Sequence, residues 1–164
     1  MKNYFINNKE IYINKNHILD YIEWLIQKIN LDEKSDYLEN NRRNNLHPIR
    51  PRKGEIYLIE FGKNIGRELN NIHMGIIMQN SLKNSISSTI VVVPISSSNK
   101  LYDTHLEIKE KDIIEGKLNK IPCKAKAEQI ICIDKSRLIH KIGNMSEDFI
   151  FRLENKIKQN LDIA

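Results

Sequence analysis

A histidine where a polar loop runs back into a strand, and a run of hydroxyls where the most apolar strand ends, are the residues here best suited to chemistry. The loop, residues 62–72, carries Asn64, Gly66, Arg67, Glu68, Asn70 and Asn71, and His73 follows it. The hydroxyl run is Ser96-Ser97-Ser98-Asn99-Lys100. An imidazole titrates near neutrality and can take or give a proton. A hydroxyl can donate to an anionic oxygen, and a guanidinium is a fixed positive fork. Polar groups at the ends of core strands are held rigidly yet reach solvent, as a catalytic site requires. Each group also has a plainer reading: an edge histidine bonded at the surface, a serine turn, and a solvated Arg67–Glu68 pair. The residues form no Ser-His-Asp order.

The elements that must position these groups follow from the apolar pattern. Residues 55–61 and 74–80 are short, Ile-rich and bounded by polar turns, so they read as strands flanking the loop. Residues 89–96, Thr-Ile-Val-Val-Val-Pro-Ile-Ser, have the β-branched continuity of a strand buried on both faces, with Pro94 marking an edge or bulge. Residues 104–108 alternate, residues 125–133 supply a fifth strand, and 134–138 read as one helical turn. The chain closes with a helix over 146–161, capped by Ser146, its buried stripe formed by Phe149, Leu153, Ile157 and Leu161. Several short strands with one terminal helix predict a small, strongly curved barrel, mainly β with α.

The first 47 residues differ. Ile18, Ile22, Leu25 and Ile29, widened by Leu19 and Ile26 and bordered by Trp24, predict an amphipathic helix over 17–30 whose apolar face is covered. Residues 31–47 read as a weak second helix fading into a linker, and Pro48 and Pro51 place a boundary near residue 48. Two units result: a helical extension and linker at 1–47, and a barrel domain at 48–164. Of the net charge of +5, none lies in the first 47 residues, which hold seven basic and seven acidic side chains. The excess sits in the barrel segment, and is compatible with a polyanionic partner.

Other classes are set aside. The apolar run 90–95 is far too short for a membrane span, and the N-terminus lacks a signal-peptide core. Cys123 and Cys132 form no CxxC pair and read as reduced thiols of a cytoplasmic protein. There is no GxxxxGK[ST], GxGxxG or HExxH, so nucleotide-phosphate and zinc-peptidase signatures are missing.

From Arg52 onward a series of motifs occurs in order: Arg52-Lys53-Gly54-Glu55-Ile56-Tyr57; Gly66-Arg67-Glu68; Gly75-Ile76-Ile77-Met78-Gln79-Asn80; residues 89–96; Thr104-His105-Leu106-Glu107-Ile108; and Ala127-Glu128-Gln129-Ile130-Ile131-Cys132-Ile133-Asp134-Lys135-Ser136-Arg137-Leu138. This series resembles the MazF/PemK family of toxin ribonucleases, over about 110 residues and not over 1–47. The resemblance implies an SH3-like barrel that dimerises, cuts single-stranded RNA without metal or cofactor, is restrained by a cognate antitoxin, and meets operator DNA only together with it. The family's catalytic hydroxyl falls on Ser96. Its basic residue, usually Arg before Pro, falls on His73 before Met74. On this reading His73 transfers the proton, Ser96 donates to the phosphate, Arg67 supplies positive charge, and Glu68 orients His73 or Arg67. Asn64, Ser97, Ser98, Lys100 and His105 are the candidate RNA contacts, with a structural role equally open for His105, and Lys117, Lys120, Lys124 and Lys126 could line the RNA path. His17, His47 and His140 read as surface residues, Phe61 as core, and Tyr102 as an exposed aromatic. The extension packs on the barrel, extends a dimer interface, or occupies an antitoxin groove. A second reading is a catalytically silent barrel that binds nucleic acid or a partner protein.

Overall fold

The computed structural model describes residues 3–6, 9–12, 15–98 and 100–163. The chain begins with a hairpin of β1 (Asn3–Ile6) and β2 (Lys9–Tyr12), then α1 (Lys15–Asn40). There follow β3 (Glu55–Glu60), β4 (Ile72–Ile77), α2 (Ser81–Ile86), β5 (Thr89–Ser96), β6 (His105–Ile108) and β7 (Ile113–Gly116). Then come β8 (Cys123–Lys126), β9 (Ile131–Asp134), β10 (Leu138–Met145) and α3 (Glu147–Leu161). Strands β3–β10 form one curled antiparallel sheet in the order β6-β8-β5-β4-β3-β10-β7, with β9 also paired to β5.

The sheet is apolar on both faces, as the continuous run in β5 requires. Val93 and Ile95 join Ile56, Ile76 and Ile108 beneath α3, which contributes Phe149 and Leu153, both fully buried. Ile90 and Val92 point the other way, into a second core with Ile59, Phe61, Ile77, Ile133 and Leu138. α3 starts where expected: Ser146 Oγ accepts from Phe149 N–H at 3.2 Å, and Glu147 and Asp148 sit in the first turn, where the helix dipole favours them. Leu161, expected in its buried stripe, is 55% exposed, while its neighbour Asn160 donates to Thr104 O at 3.3 Å.

Three expectations are corrected. The single strand over 125–133 is two strands, β8 and β9, separated by a short 3-10 turn at Ala127–Gln129. Both pair with the same edge of β5, β9 at residues 89–92 and β8 at 95–96, so Pro94 falls where the ladder is interrupted and its missing N–H is not needed. Next, the helix over 17–30 and its weak successor are one 26-residue helix. Finally, α1 turns its apolar stripe outward: Ile18, Leu19, Ile22, Leu25, Ile26 and Ile29 are 45–58% exposed. Its covered positions are Trp24, Leu31, Ser35 and Leu38, a heptad-like row about 165° around the helix from that stripe.

That row docks on the barrel. Lys34 Nζ donates to the carbonyls of Ser136 (2.7 Å) and Leu138 (3.1 Å), and Ser35 Oγ bonds Asp134 at 3.2 Å. The segment after α1 is fastened as well. Arg42 donates to Ile86 O at 2.6 Å and to Ser88 Oγ at 2.9 Å, and His47 N–H donates to Ser85 O at 2.8 Å. His47 is therefore buried rather than at the surface, its Nδ1 accepting from Ile49 N–H at 3.0 Å. His17 and His140 are exposed, Phe61 is core and Tyr102 is exposed, as expected. Cys123 and Cys132 are both free thiols.

Candidate active site

Strand register brings the sequence's scattered polar groups onto one face. Residues directly opposite each other in paired strands share a face. β5 and β8 pair Ser96 with Lys124, and β8 and β6 pair Lys124 with Glu107 and Lys126 with His105. β4 and β5 pair Ile77 with Val92 and Gly75 with Pro94, and His73 and Ser96 each stand two residues past that last pair, on the same face by alternation. This is the face that carries Ile77, Ile90 and Val92 into the second core. Where that core stops, the face continues as His73, Ser96, Lys124, Lys126, His105 and Glu107.

His73 is half-buried at the start of β4. Burial holds its imidazole below the usual histidine range, the Lys126 ammonium pushes the same way, and a hydrogen bond to the Asn70 backbone opposes both. At neutral pH the ring is therefore uncharged, the state that can accept a proton. Ser96 is half-buried, and its Oγ accepts from Ser98 N–H at 3.4 Å, which leaves the hydroxyl proton to donate elsewhere.

His105 is only 6% exposed and both ring nitrogens are committed: Nδ1 accepts from Tyr102 N–H at 3.1 Å, so Nε2 carries the proton and donates to Glu128 at 3.1 Å. The Tyr102 ring meets it edge-on, with centroids 5.1 Å apart. Of the two roles open to it, structural and RNA-contacting, this geometry is that of a structural post. Glu128 also faces the Lys126 ammonium at 3.8 Å, so the cation nearest His73 is held by the carboxylate that His105 anchors.

The loop between β3 and β4 is closed at its base by Asn71 N–H to Gly62 O (2.7 Å) and Phe61 N–H to Asn71 O (3.0 Å). Asn64 holds it from inside, its side-chain amide donating to Leu69 O at 2.7 Å and Phe61 O at 3.2 Å. That amide is occupied with loop backbone and not displayed for an RNA base. Glu68 accepts from Ile65 N–H at 3.1 Å, so its carboxylate caps its own turn, whereas His73 bonds the Asn70 backbone. Arg67 is exposed, and its carbonyl accepts from Gln129 at 3.2 Å. Arg67 and Glu68 form one wall of a groove of about 560 Å³ whose opposite wall is Glu128, Gln129, Ile130 and Ile131, with Phe61 and Pro94 also lining it. Ser97, Ser98 and Lys100 are exposed beyond Ser96, and Asn99 lies outside the described residues.

Two supports of this site are not evident as such in the sequence. Trp24 of α1 lies flat on Gly62, where a Cβ would meet its ring at 2.2 Å, and the positive φ of +86° makes glycine the fitting residue twice over. The Arg137 guanidinium stacks on the same indole at 5.5 Å and donates to the carbonyls of Glu60 and Phe61, both at 3.1 Å. The end of β3 and the root of the loop are thereby clamped from both sides.

Residues 52–161 match the family model of the PemK-like, MazF-like toxins of type II toxin–antitoxin systems. Among curated proteins, the chain is 32% identical over 114 residues to the endoribonuclease MazF of Staphylococcus epidermidis, covering 68% of this chain and 92% of the relative. It is 30% identical over 118 residues to the endoribonuclease MazF9 of Mycobacterium tuberculosis, covering 68% of this chain and 97% of that one. The same fold occurs in a mycobacterial endoribonuclease solved in complex with its cognate antitoxin, with a TM-score of 0.56 at 15% identity over 70% of this chain and 97% of that chain. The match begins at Arg52, just ahead of β3, and leaves α1 outside it. The chain belongs to the PemK-like, MazF-like toxin family of type II toxin–antitoxin systems.

Proposed function

We propose that this protein is the toxin of a toxin–antitoxin pair and an endoribonuclease that cuts single-stranded RNA, arresting translation and growth until its antitoxin binds. The observation that carries the reading is a half-buried imidazole, its proton affinity lowered by burial, on the same sheet face as a hydroxyl at the end of the neighbouring strand and as a lysine facing Glu128. Cleavage of RNA by its own 2′-hydroxyl needs a base for that proton, donors for the phosphorane oxygens, and a proton for the departing 5′-oxygen. His73 takes the 2′-proton while the 2′-oxygen bonds phosphorus. Ser96 Oγ–H and the Lys126 ammonium face the charge that builds on the non-bridging oxygens. The imidazolium then returns a proton, directly or through water, as the P–O5′ bond breaks. The products are a 2′,3′-cyclic phosphate and a 5′-hydroxyl. Arg67 and Glu68 stand at the groove rim, where they meet the flanking nucleotides, with Ser97, Ser98 and Lys100 on the other side.

Among the described residues no helix is long and apolar enough to cross a membrane. The proposed setting is the cytoplasm, where the messenger RNA and the antitoxin are, with the protein acting as a homodimer and reaching operator DNA only as part of the antitoxin complex. Residues 1–47 are read as an extension added to a barrel that begins at residue 48. The test is incubation of purified protein with single-stranded RNA in excess EDTA, with the new ends mapped. Cleavage leaving 5′-hydroxyl and cyclic phosphate ends, lost in His73→Ala and Ser96→Ala, is the expected result. No cleavage by the wild-type protein, or undiminished cleavage by both variants, would reject the assignment and favour a silent binding barrel.

A further inference from the structure

Lys124 is 3% exposed, and its Nζ is buried without a hydrogen-bond partner. Other lysines withdrawn from solvent are compensated: Lys135 donates to Asn84 O, and Lys126 faces Glu128. The carboxylate opposite Lys124 in the β6–β8 ladder, Glu107, is engaged with Lys109 at 3.3 Å. An ammonium taken out of water with nothing to answer its charge costs folding free energy that a methionine of similar length would not. Burial lowers its proton affinity, Lys126 acts the same way, and Glu128 opposes them.

The side chain lines a pocket of about 240 Å³ with Ser98, Leu101, Glu107, Pro122 and Cys123. That space exceeds the share of several waters at about 30 Å³ each, so a tetrahedral anion fits. The pocket adjoins the candidate site by construction, since Lys124 stands directly opposite Ser96, at a Cβ separation of about 5 Å for such pairs.

We propose that Lys124 binds a backbone phosphate of the RNA substrate, the one adjoining the phosphate held at Ser96. The assignment rests on the reading of the site as an RNA-cutting one, and it deepens that reading by naming where the neighbouring phosphate sits. A buried, unanswered cation whose side chain lines a pocket is then an anion site. Its charge is worth most there because the surrounding protein excludes water.

The experiment compares the full chain with its Lys124→Met and Lys124→Arg variants. Binding of a mixed-sequence 2′-O-methyl RNA dodecamer pool, which cannot cut itself, is followed by fluorescence anisotropy from 50 to 200 mM salt. One lost phosphate contact lowers the magnitude of the log–log salt slope by about 0.7 in Lys124→Met, while Lys124→Arg keeps the wild-type slope. Cleavage of unmodified RNA falls about tenfold in kcat/KM in Lys124→Met, the cost of losing one charged hydrogen bond. Its thermal midpoint stays level or rises, which separates the loss from misfolding. An unchanged slope and unchanged cleavage overturn the proposal. Wild-type protein that binds the pool without cutting RNA rejects the catalytic reading and leaves Lys124 to the slope. Wild-type protein that does not bind the pool overturns the Lys124 assignment.

Discussion

Lys135 offers a stability measurement whose sign and size follow from its surroundings. It lies in the short turn Lys135–Arg137 on which α1 docks, it is fully buried, and its Nζ donates to the Asn84 carbonyl. Burial, with the Arg42 guanidinium acting the same way and Glu39 and Asp134 opposing, brings its pKa down from 10.5 to about 8. Between those two values the unfolded chain binds a proton that the folded chain does not, so stability rises with pH across that window. The depression of about 2.5 units corresponds to about 3 kcal/mol over the full span, and about 1 kcal/mol of it falls between pH 8 and 9. Cys123 works the other way: burial raises its thiol to about 11, so stability falls as pH climbs from its unfolded value toward that figure. The informative quantity is therefore the difference between wild-type and Lys135→Met, measured by urea denaturation at half-unit steps from pH 7.5 to 10.5. The wild-type protein should gain about 3 kcal/mol on the variant across that range. Parallel curves would refute the reasoning, because they would mean that the ammonium is as well solvated folded as unfolded.

If His73 is the base, cleavage rises with pH through its pKa, and the Lys126 ammonium is one reason that pKa is low. Lys126→Met should move the acid limb of the pH–rate profile to higher pH, and a limb that stays in place while the rate falls would assign Lys126 to the phosphate alone. Trp24→Ala removes the ring that covers Gly62 and carries Arg137, and should cost about 2 kcal/mol, less than a fully buried tryptophan because Trp24 is half-buried. Hydrogen exchange should speed up across residues 61–71 in that variant. Exchange unchanged there would show that the loop root does not depend on α1.

The parts of the fold that were legible in the sequence are those whose signal is local. The β5 run, the Ser146 cap and the Phe149–Leu153 stripe each announce themselves through composition and period, and each lies where the pattern puts it. β10 carries no legible strand pattern, because Leu138, Ile139 and Ile142 are interspersed with His140, Lys141 and Gly143, and its bulges break any alternation. α1 shows a further limit. Its most regular apolar stripe is the exposed one, while the docked row of Trp24, Leu31, Ser35 and Leu38 mixes aromatic, aliphatic and polar residues. Periodicity finds a stripe but not the surface it meets. At the site, His73 and Ser96 were legible as the ends of two recognisable strands, whereas the roles of Lys124, Lys126, His105 and Glu128 depend on a ladder between β5, β6 and β8 that no local pattern encodes.

That ladder also bears on how the site tolerates histidine where the family it resembles has arginine. An arginine at the head of the second strand supplies fixed charge and cannot serve as a base at neutral pH. A histidine there supplies the proton transfer and gives up the fixed charge, so the charge must come from elsewhere. Arg67 is exposed on the groove rim, and the neighbouring Glu68 carboxylate caps its own turn. Lys126, by contrast, acts on His73 directly, stands beside Glu128 at 3.8 Å, and shares a strand face with Lys124. In the proposed mechanism, proton transfer and charge neutralisation are divided between two strands, β4 and β8, instead of residing on one guanidinium. The division carries an internal check, because in the proposed mechanism the lysine that faces the phosphorane also adds to the effect of burial in lowering the His73 pKa. Lys126→Gln keeps most of the length of the side chain and removes its charge at a partly exposed position. Both effects of the lysine should be lost together.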